Sequence, residues 1–307
     1  MLLDLDRAAW PELLPGELSS PQWGVASETG RLYDVLLGAP DHLSMVPCNA
    51  VTCRSLAEGR ALDPIAAATQ RGELARALTR AGVRCHMVPS RAGLADLTFT
   101  RDSVLVSPWG LVELRPGASH RRAEPAHVAA ALEALGLPRW GRVEAGRIEG
   151  GDVCLMREGL LAIGCSGERT DAVGAQSLAR LFEAKGWTVI LVPFDPAFLH
   201  LDTIFTMIAP DCAVACPEAL PAAFRARLAM LGIRVIPATP NEVARLGANL
   251  LSLGEGRIVA PADNRRLNAI LGGCGFDVIA VDLDQFTRCG GGVHCLTMPL
   301  ARAPEWH

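Results

Sequence analysis

The chain has 307 residues, half of them apolar and one fifth charged, with a formal net charge of -4. That is ample apolar material for a sizeable core, and it excludes a disordered chain. No Lys/Arg-rich block offers the electrostatic footprint of a nucleic-acid or anionic-membrane partner, and no apolar run reaches the roughly 18 to 20 residues of a membrane span.

In chain order, the opening MLLDLDRAAWPELLPGEL carries acidic residues where a secretory signal is basic, so a cytoplasmic location is expected. Residues 1–20 read as an N-terminal lead-in to one domain over 21–307, because no Pro/Ser-rich linker divides the remainder. The irregular segment GAPDHLSMVPCNAV follows and is expected to form a lid. From there one pattern recurs five times: an amphipathic helix, a glycine, then a β-rich strand, with the glycines at Gly82, Gly136, Gly186, Gly232 and Gly275. Each glycine stands where a helix end needs the left-handed conformation. The short apolar runs SVLVSP, VCLMRE, LLAIGC, CAVACP, LLSLGE and RIVAPA supply further strands, so each unit reads as strand, strand, helix, strand. A doubly wound sheet shows similar alternation, but no G-x-G-x-x-G or G-x-x-x-x-G-K-[ST] turn follows a strand.

Four islands break the apolar pattern: GLADLTFTRD (93–102), RIEGGDV (147–153), FLHLDTIFTM (198–207) and TRCGGGVHCLTMPL (287–300). A closed ring of repeats would bring all four to one axial pocket. In the last, Gly290 to Gly292 precede Val293-His294-Cys295 and present the cysteine from a special loop. His200 and Asp202 stand two apart in a strand-like run, where alternation would turn both to one face. A thiol, a proton carrier and an anion together make a set for nucleophilic catalysis. Asp102, Glu149 and Asp152 add carboxylates in apolar surroundings, where each demands a cationic partner. Arg101 and Arg147 could supply it internally. A substrate guanidinium, planar with five donors, matches several carboxylates at once. No H-x-x-x-H or C-x-x-C spacing is present, so neither a metal nor another cofactor is expected. The ten cysteines read mostly as reduced core residues, with Cys289 and Cys295 open to a reading as a redox pair. Asn49 and Asn249 lie in segments that could reach the pocket, without an assignable role.

FTRD, EGGDV, HLDT and the glycine loop ending in cysteine jointly resemble the guanidine-modifying superfamily of arginine deiminase, dimethylarginine dimethylaminohydrolase and the amidinotransferases, over about Gly24 to Arg302. The resemblance implies an α/β fold, a five-bladed α/β propeller of pseudo-fivefold ββαβ repeats in a single domain. It implies Cys295 as nucleophile, His200 as general acid/base, and Asp102, Glu149 and Asp202 as guanidinium ligands. RPGASHRRAE resembles a dimethylarginine hydrolase segment and places Arg121 at the substrate α-carboxylate. Arg169 in SGERTDAVGA resembles the second carboxylate arginine, and Asp96 sits where the amino-acid head group is recognised. A homodimer is the family expectation.

The signals for substrate divide. Asp202 follows the arginine deiminase pattern, whereas chain length and RPGASHRR follow the dimethylarginine hydrolases. The expectation is hydrolysis of arginine or N-methylated arginine to a ureido product. An amidinotransferase and a non-catalytic arginine-binding propeller are the rivals.

Overall fold

All five helix–glycine–strand passages turn as the sequence requires. In the computed structural model, which describes residues 23–304, Gly82, Gly136, Gly186, Gly232 and Gly275 have φ of 85, 92, 79, 72 and 94°. A residue with a Cβ enters that region at a cost of roughly 1–2 kcal/mol. The lead-in expected at 1–20 lies outside the described residues.

The chain enters at β1 (Leu32–Gly38), crosses α1 (Ala50–Ala57) and α2 (Pro64–Arg80), and reaches β2 (Arg84–Val88). The second unit is β3 (Val104–Ser107), β4 (Gly110–Glu113), α3 (Glu124–Ala134) and β5 (Arg139–Arg142). The third is β6 (Val153–Arg157), β7 (Leu160–Cys165), α4 (Ala172–Glu183) and β8 (Thr188–Pro193). The fourth is β9 (Phe205–Ala209), β10 (Cys212–Ala215), α5 (Ala222–Met230) and β11 (Arg234–Pro237). After a short α6 (Pro240–Val243), the fifth is β12 (Leu251–Gly254), β13 (Arg257–Pro261), α7 (Arg265–Gly273) and β14 (Asp277–Val281). A short α8 (Asp284–Thr287) and β15 (Met298–Arg302) complete the chain.

Units two to five each pair their first two strands antiparallel and return through the helix to a parallel third strand. The first unit is built from both ends of the chain: β15 pairs antiparallel with β1, Leu36 opposite Met298, and β1 pairs parallel with β2. Five three-stranded sheets result. They follow one another in a closed succession, with β15 against β3, β6 against β9, β9 against β12 and β12 against β1. An isolated bridge between Arg115 and Ile148 links the second and third units.

Burial runs from the inside outward. β3, β12 and β15 are buried throughout, whereas β5 is half-buried to exposed. Helices close over the middle strands with one apolar stripe, as in α4, where Ala175, Leu178 and Phe182 are buried at helical spacing. Each fully buried large side chain of this kind contributes roughly 1.5–3 kcal/mol. Among the described residues no helix is long and apolar enough to cross a membrane.

Three inner strands are introduced by a single 3-10 turn: Thr100–Asp102 before β3, Gly150–Asp152 before β6 and Leu201–Thr203 before β9. This corrects the alternation expectation for His200 and Asp202. His200 is extended (φ -144°, ψ 166°) just ahead of its turn and Asp202 lies within it, so the turn sets their directions. The cysteine expectation is also corrected. All ten are free, but only Cys154, Cys212, Cys216, Cys289 and Cys295 are buried, and Cys289 and Cys295 form no disulfide.

Candidate active site

The turns that open the inner strands are stitched to one another by side chains. Asp102 Oδ1 accepts from the Gly151 amide at 3.0 Å, and Asp152 Oδ1 accepts from the Leu201 amide at 2.8 Å. Asn249 continues the relay, its Nδ2 donating to the Asp202 carbonyl at 3.3 Å and its Oδ1 accepting from the His294 and Cys295 amides at 3.0 and 3.3 Å. The Arg101 amide closes it on the Cys295 carbonyl at 3.3 Å. Each unit thus fixes the backbone of the next, which is how residues far apart in sequence share one site.

The glycine loop is required by this crowding. Gly290 has φ 89°. A Cβ at Gly292 would lie 2.5 Å from Asn249 Oδ1, and one at Gly291 would overlap the Phe99 ring. Cys295 is thereby held 2% exposed, with Asn249 Nδ2 donating to Sγ at 3.3 Å and the thiol 3.5 Å from Asp202 Oδ2. Asp202 Oδ2 also meets His294 Nδ1 at 2.8 Å. His294 Nε2 reaches Glu28 at 3.3 Å, and Glu28 in turn accepts from Arg101 at 3.1 Å. A buried chain from Arg101 through Glu28 and His294 therefore locks one oxygen of Asp202, while Oδ1 has no protein partner.

His200 stands across the site. Its Nε2 pairs with Glu149 Oε2 at 2.8 Å, and its Nδ1 lies 3.8 Å from Asp102 Oδ1 with no hydrogen-bond partner. Glu149 is itself held by the Gly117 and Ala118 amides and by Arg169 at 3.2 Å. Arg169 Nη2 also donates to the Cys48 carbonyl at 2.7 Å, tying the expected lid segment to the site.

Charges follow from these contacts. Burial alone would drive His200 toward the neutral ring, but the Asp102 charge, the Glu149 hydrogen bond and Asp152 outweigh it and carry its pKa up to about 9. Burial, then the charges of Asp202 and Asp102, push the Cys295 thiol well above its ordinary value. Burial opposes ionisation of Asp202, yet His294 holds its carboxyl below the usual range. Glu149 is held low in the same way, its burial outweighed by His200 and Arg169. Asp152, with burial dominant, rises to about 7.

The structure brings Cys295, His200, Asp102, Glu149 and Asp202 together, all buried. Arg121 arrives in a different role from the one expected. Its Nε and Nη2 bond Glu124 at 2.9 and 2.8 Å, its Nη1 bonds Asp102 at 2.5 Å, and Nη2 also donates to the Phe99 carbonyl at 3.0 Å. All three nitrogens are spent within the protein, so Arg121 braces Asp102. Asp96 sits beside it, its carbonyl accepting from Arg121 at 3.3 Å and its carboxylate from His120 at 2.7 Å. Asp102, Glu149 and His200 offer ligand atoms close enough for a metal ion. His200, which must be neutral to ligate a metal, is instead held charged by those carboxylates, so the set suits a hydrogen-bonding cation better than a metal ion. Sequence reasoning missed Glu28 and the role of His294 and left Asn249 unassigned. Glu28 lies in the small polar run ASETG, where nothing sets it apart, and Asn249 is an amide among small apolar neighbours.

The arrangement can hold a planar cation between carboxylates, next to a thiol and a charged imidazole. A sequence model described as N,N dimethylarginine dimethylhydrolase, eukaryotic, matches residues 53–302. The N(G),N(G)-dimethylarginine dimethylaminohydrolase of Streptomyces coelicolor is 33% identical over 205 residues, 67% of this chain and 74% of that protein. An arginine deiminase of Rhodococcus erythropolis is 31% identical over 248 residues, 69% of this chain, which spans only 61% of that relative. A solved dimethylarginine dimethylaminohydrolase, as its adduct with 4-chloro-2-hydroxymethylpyridine, is similar with a TM-score of 0.72 at 25% identity, over 87% of this chain and 99% of that one.

Proposed function

Since the chain belongs to the N,N-dimethylarginine dimethylhydrolase family, and with it to the guanidine-modifying superfamily, we propose that it is a cysteine-dependent hydrolase that converts an arginine-type guanidine to a citrulline-like ureido product. The five sheets are then the blades of a five-bladed α/β propeller, a reading supported by their closed succession. Ten free cysteines among the described residues support a reducing, cytoplasmic setting.

The bound guanidinium favours loss of the Cys295 thiol proton to solvent, and the resulting thiolate attacks the guanidinium carbon, forming the C–S bond. His200, protonated at neutral pH, gives its proton to the departing amine as the C–N bond breaks. A thiouronium remains. Water, its proton taken by His200, adds to that carbon, and the C–S bond breaks to release the ureido product and the thiolate. Asp102, Glu149 and Asp202 hold the guanidinium through both halves, with Arg121, Arg169, His294 and Asn249 as positioning residues. Asp96 takes the substrate ammonium.

The observation that carries the reading is the pair of buried atoms without protein partners, Oδ1 of Asp202, whose carboxylate touches the Cys295 thiol, and Nδ1 of His200, which faces Asp102. A buried carboxylate oxygen left bare costs about 1–3 kcal/mol or more, and a guanidinium N–H satisfies it. A doubly methylated nitrogen brings no N–H to that oxygen, so arginine is the favoured substrate. A ureido assay with arginine, monomethylarginine, asymmetric dimethylarginine and smaller guanidines tests this. Arginine is expected first in kcat/KM, and dimethylarginine first would overturn the Asp202 argument. No turnover of any guanidine would overturn the hydrolase reading itself.

A further inference from the structure

A groove of about 670 Å³ opens between the second and third units, and none of the reacting groups lines it. Arg115 borders it just after β4, Arg142 and Glu144 at the end of β5, and Arg122 just ahead of α3. Each carboxylate on its walls is already met: Glu113 by Arg139 at 2.8 Å, Glu144 by Arg142 at 2.7 Å and Asp171 by Arg147 at 3.1 Å. Two guanidiniums are left over. Among the described residues Arg115 donates only to the Glu144 carbonyl, at 3.1 Å, Arg122 forms no side-chain hydrogen bond, and neither forms an ion pair. Glu144 feels Arg115 only as a weaker charge after Arg142. α3 starts at this edge behind Ala123, which offers no side-chain cap, so the positive end of the helix dipole adds to the field. The whole chain carries a net charge of -4, so this excess of positive charge is local.

The geometry points to an effector site in this groove for a small phosphate monoester, a sugar phosphate rather than a nucleotide, with the Arg115 and Arg122 guanidiniums on the phosphate. Planar guanidinium forks match phosphate oxygens two at a time. The volume lies in the range of organic-ligand pockets, roughly 300–1,000 Å³, and exceeds what a bare oxyanion fills. No aromatic ring among the described residues lines the walls to stack a nucleobase. The groove also shares backbone with the active site. Arg115 and Ile148 exchange two main-chain bonds, at 3.2 and 2.8 Å, and the Gly117 and Ala118 amides just beyond Arg115 hold Glu149. Resting on the function proposed above, a bound ester steadies this segment, and with it Glu149 against the substrate guanidinium, so KM for arginine falls with little change in kcat.

Calorimetric titration of the full chain with glucose 6-phosphate, inorganic phosphate and AMP at matched ionic strength reads the site whether or not any guanidine is turned over. One glucose 6-phosphate per chain is expected, bound more tightly than phosphate or AMP. Arg115→Ala and Arg122→Ala should each weaken it about tenfold or more. No saturable binding of any of the three, or unchanged affinity in the double variant, would overturn the site. Phosphate bound as tightly as the sugar phosphate would overturn the monoester assignment, and AMP bound more tightly would overturn the choice of a sugar. In the ureido assay, glucose 6-phosphate should lower KM for arginine about fivefold. Arg122→Ala should match the parent enzyme without the ester and lose the response to it. A KM indifferent to glucose 6-phosphate at concentrations where calorimetry shows the site filled would overturn the coupling to Glu149 and leave the hydrolase reading untouched.

Discussion

Cys295 and His200 carry opposite burdens at neutral pH. Burial, Asp202 and Asp102 keep the thiol protonated, and the same kind of carboxylate surroundings keep His200 charged, with a pKa of about 9. A bound guanidinium cancels part of the negative field on the thiol, so alkylation of Cys295 by iodoacetamide should accelerate when an unreactive small guanidine is added. Unchanged or slower alkylation would contradict substrate-assisted activation. kcat/KM should fall as pH rises through about 9, where His200 loses the proton it gives to the leaving amine. Because that pKa lies above its ordinary value of 6.5, the stability His200 contributes is fully present below 6.5 and is lost as pH rises through about 9. Thermal unfolding followed across that window checks the sign. Asn249→Ala removes the amide that holds the Cys295 sulfur and two amides of its loop. It should lower kcat on the order of 10²-fold while leaving KM within a few-fold. The reacting residues were legible because each sits in a polar island with little packing purpose. Glu28 was not, nor was the role of His294 inside the last island, because their meaning lies in a contact 266 positions apart along the chain.

At the scale of elements, the glycines divide into two kinds. Gly186 only ends a helix: its φ is 79° and a Cβ there meets nothing within 4 Å. Gly186→Ala should therefore destabilise the protein by about 1 kcal/mol, read by denaturant unfolding, with kcat unchanged. Gly151 makes room for a catalytic ring, since its Cβ would lie 2.6 Å from His200 Nδ1. Gly151→Ala should cut kcat at least tenfold with a smaller loss of stability, because the His200 side chain can turn away. The helix-ending glycines were readable from their place after an amphipathic helix. The turn at Leu201–Thr203 was not, because alternation over HLDT looks the same in a strand and in a tight turn when only spacing is available.

For the whole molecule, the recurring helix–glycine–strand passage announced five units, and strand pairing bears that out. What repetition could not announce is that the first unit borrows β15 from the far end of the chain. That strand follows Cys295 directly, so ring closure and nucleophile placement are one event. Removal of residues 298–307 should abolish cooperative unfolding along with activity; a truncated chain that still unfolds in one sharp transition would contradict the closure. The claim that joins all three scales is that Cys295 forms a covalent bond to the guanidine carbon. Acid-quenched intact mass spectrometry during turnover of arginine tests it directly. A Cys295 adduct equal to arginine less ammonia should build up and decay with turnover, and be absent in Cys295→Ser. Dimethylarginine, if processed, should give the same adduct, because only the departing amine differs. Product formation with no adduct, or undiminished turnover by Cys295→Ser, would contradict the account.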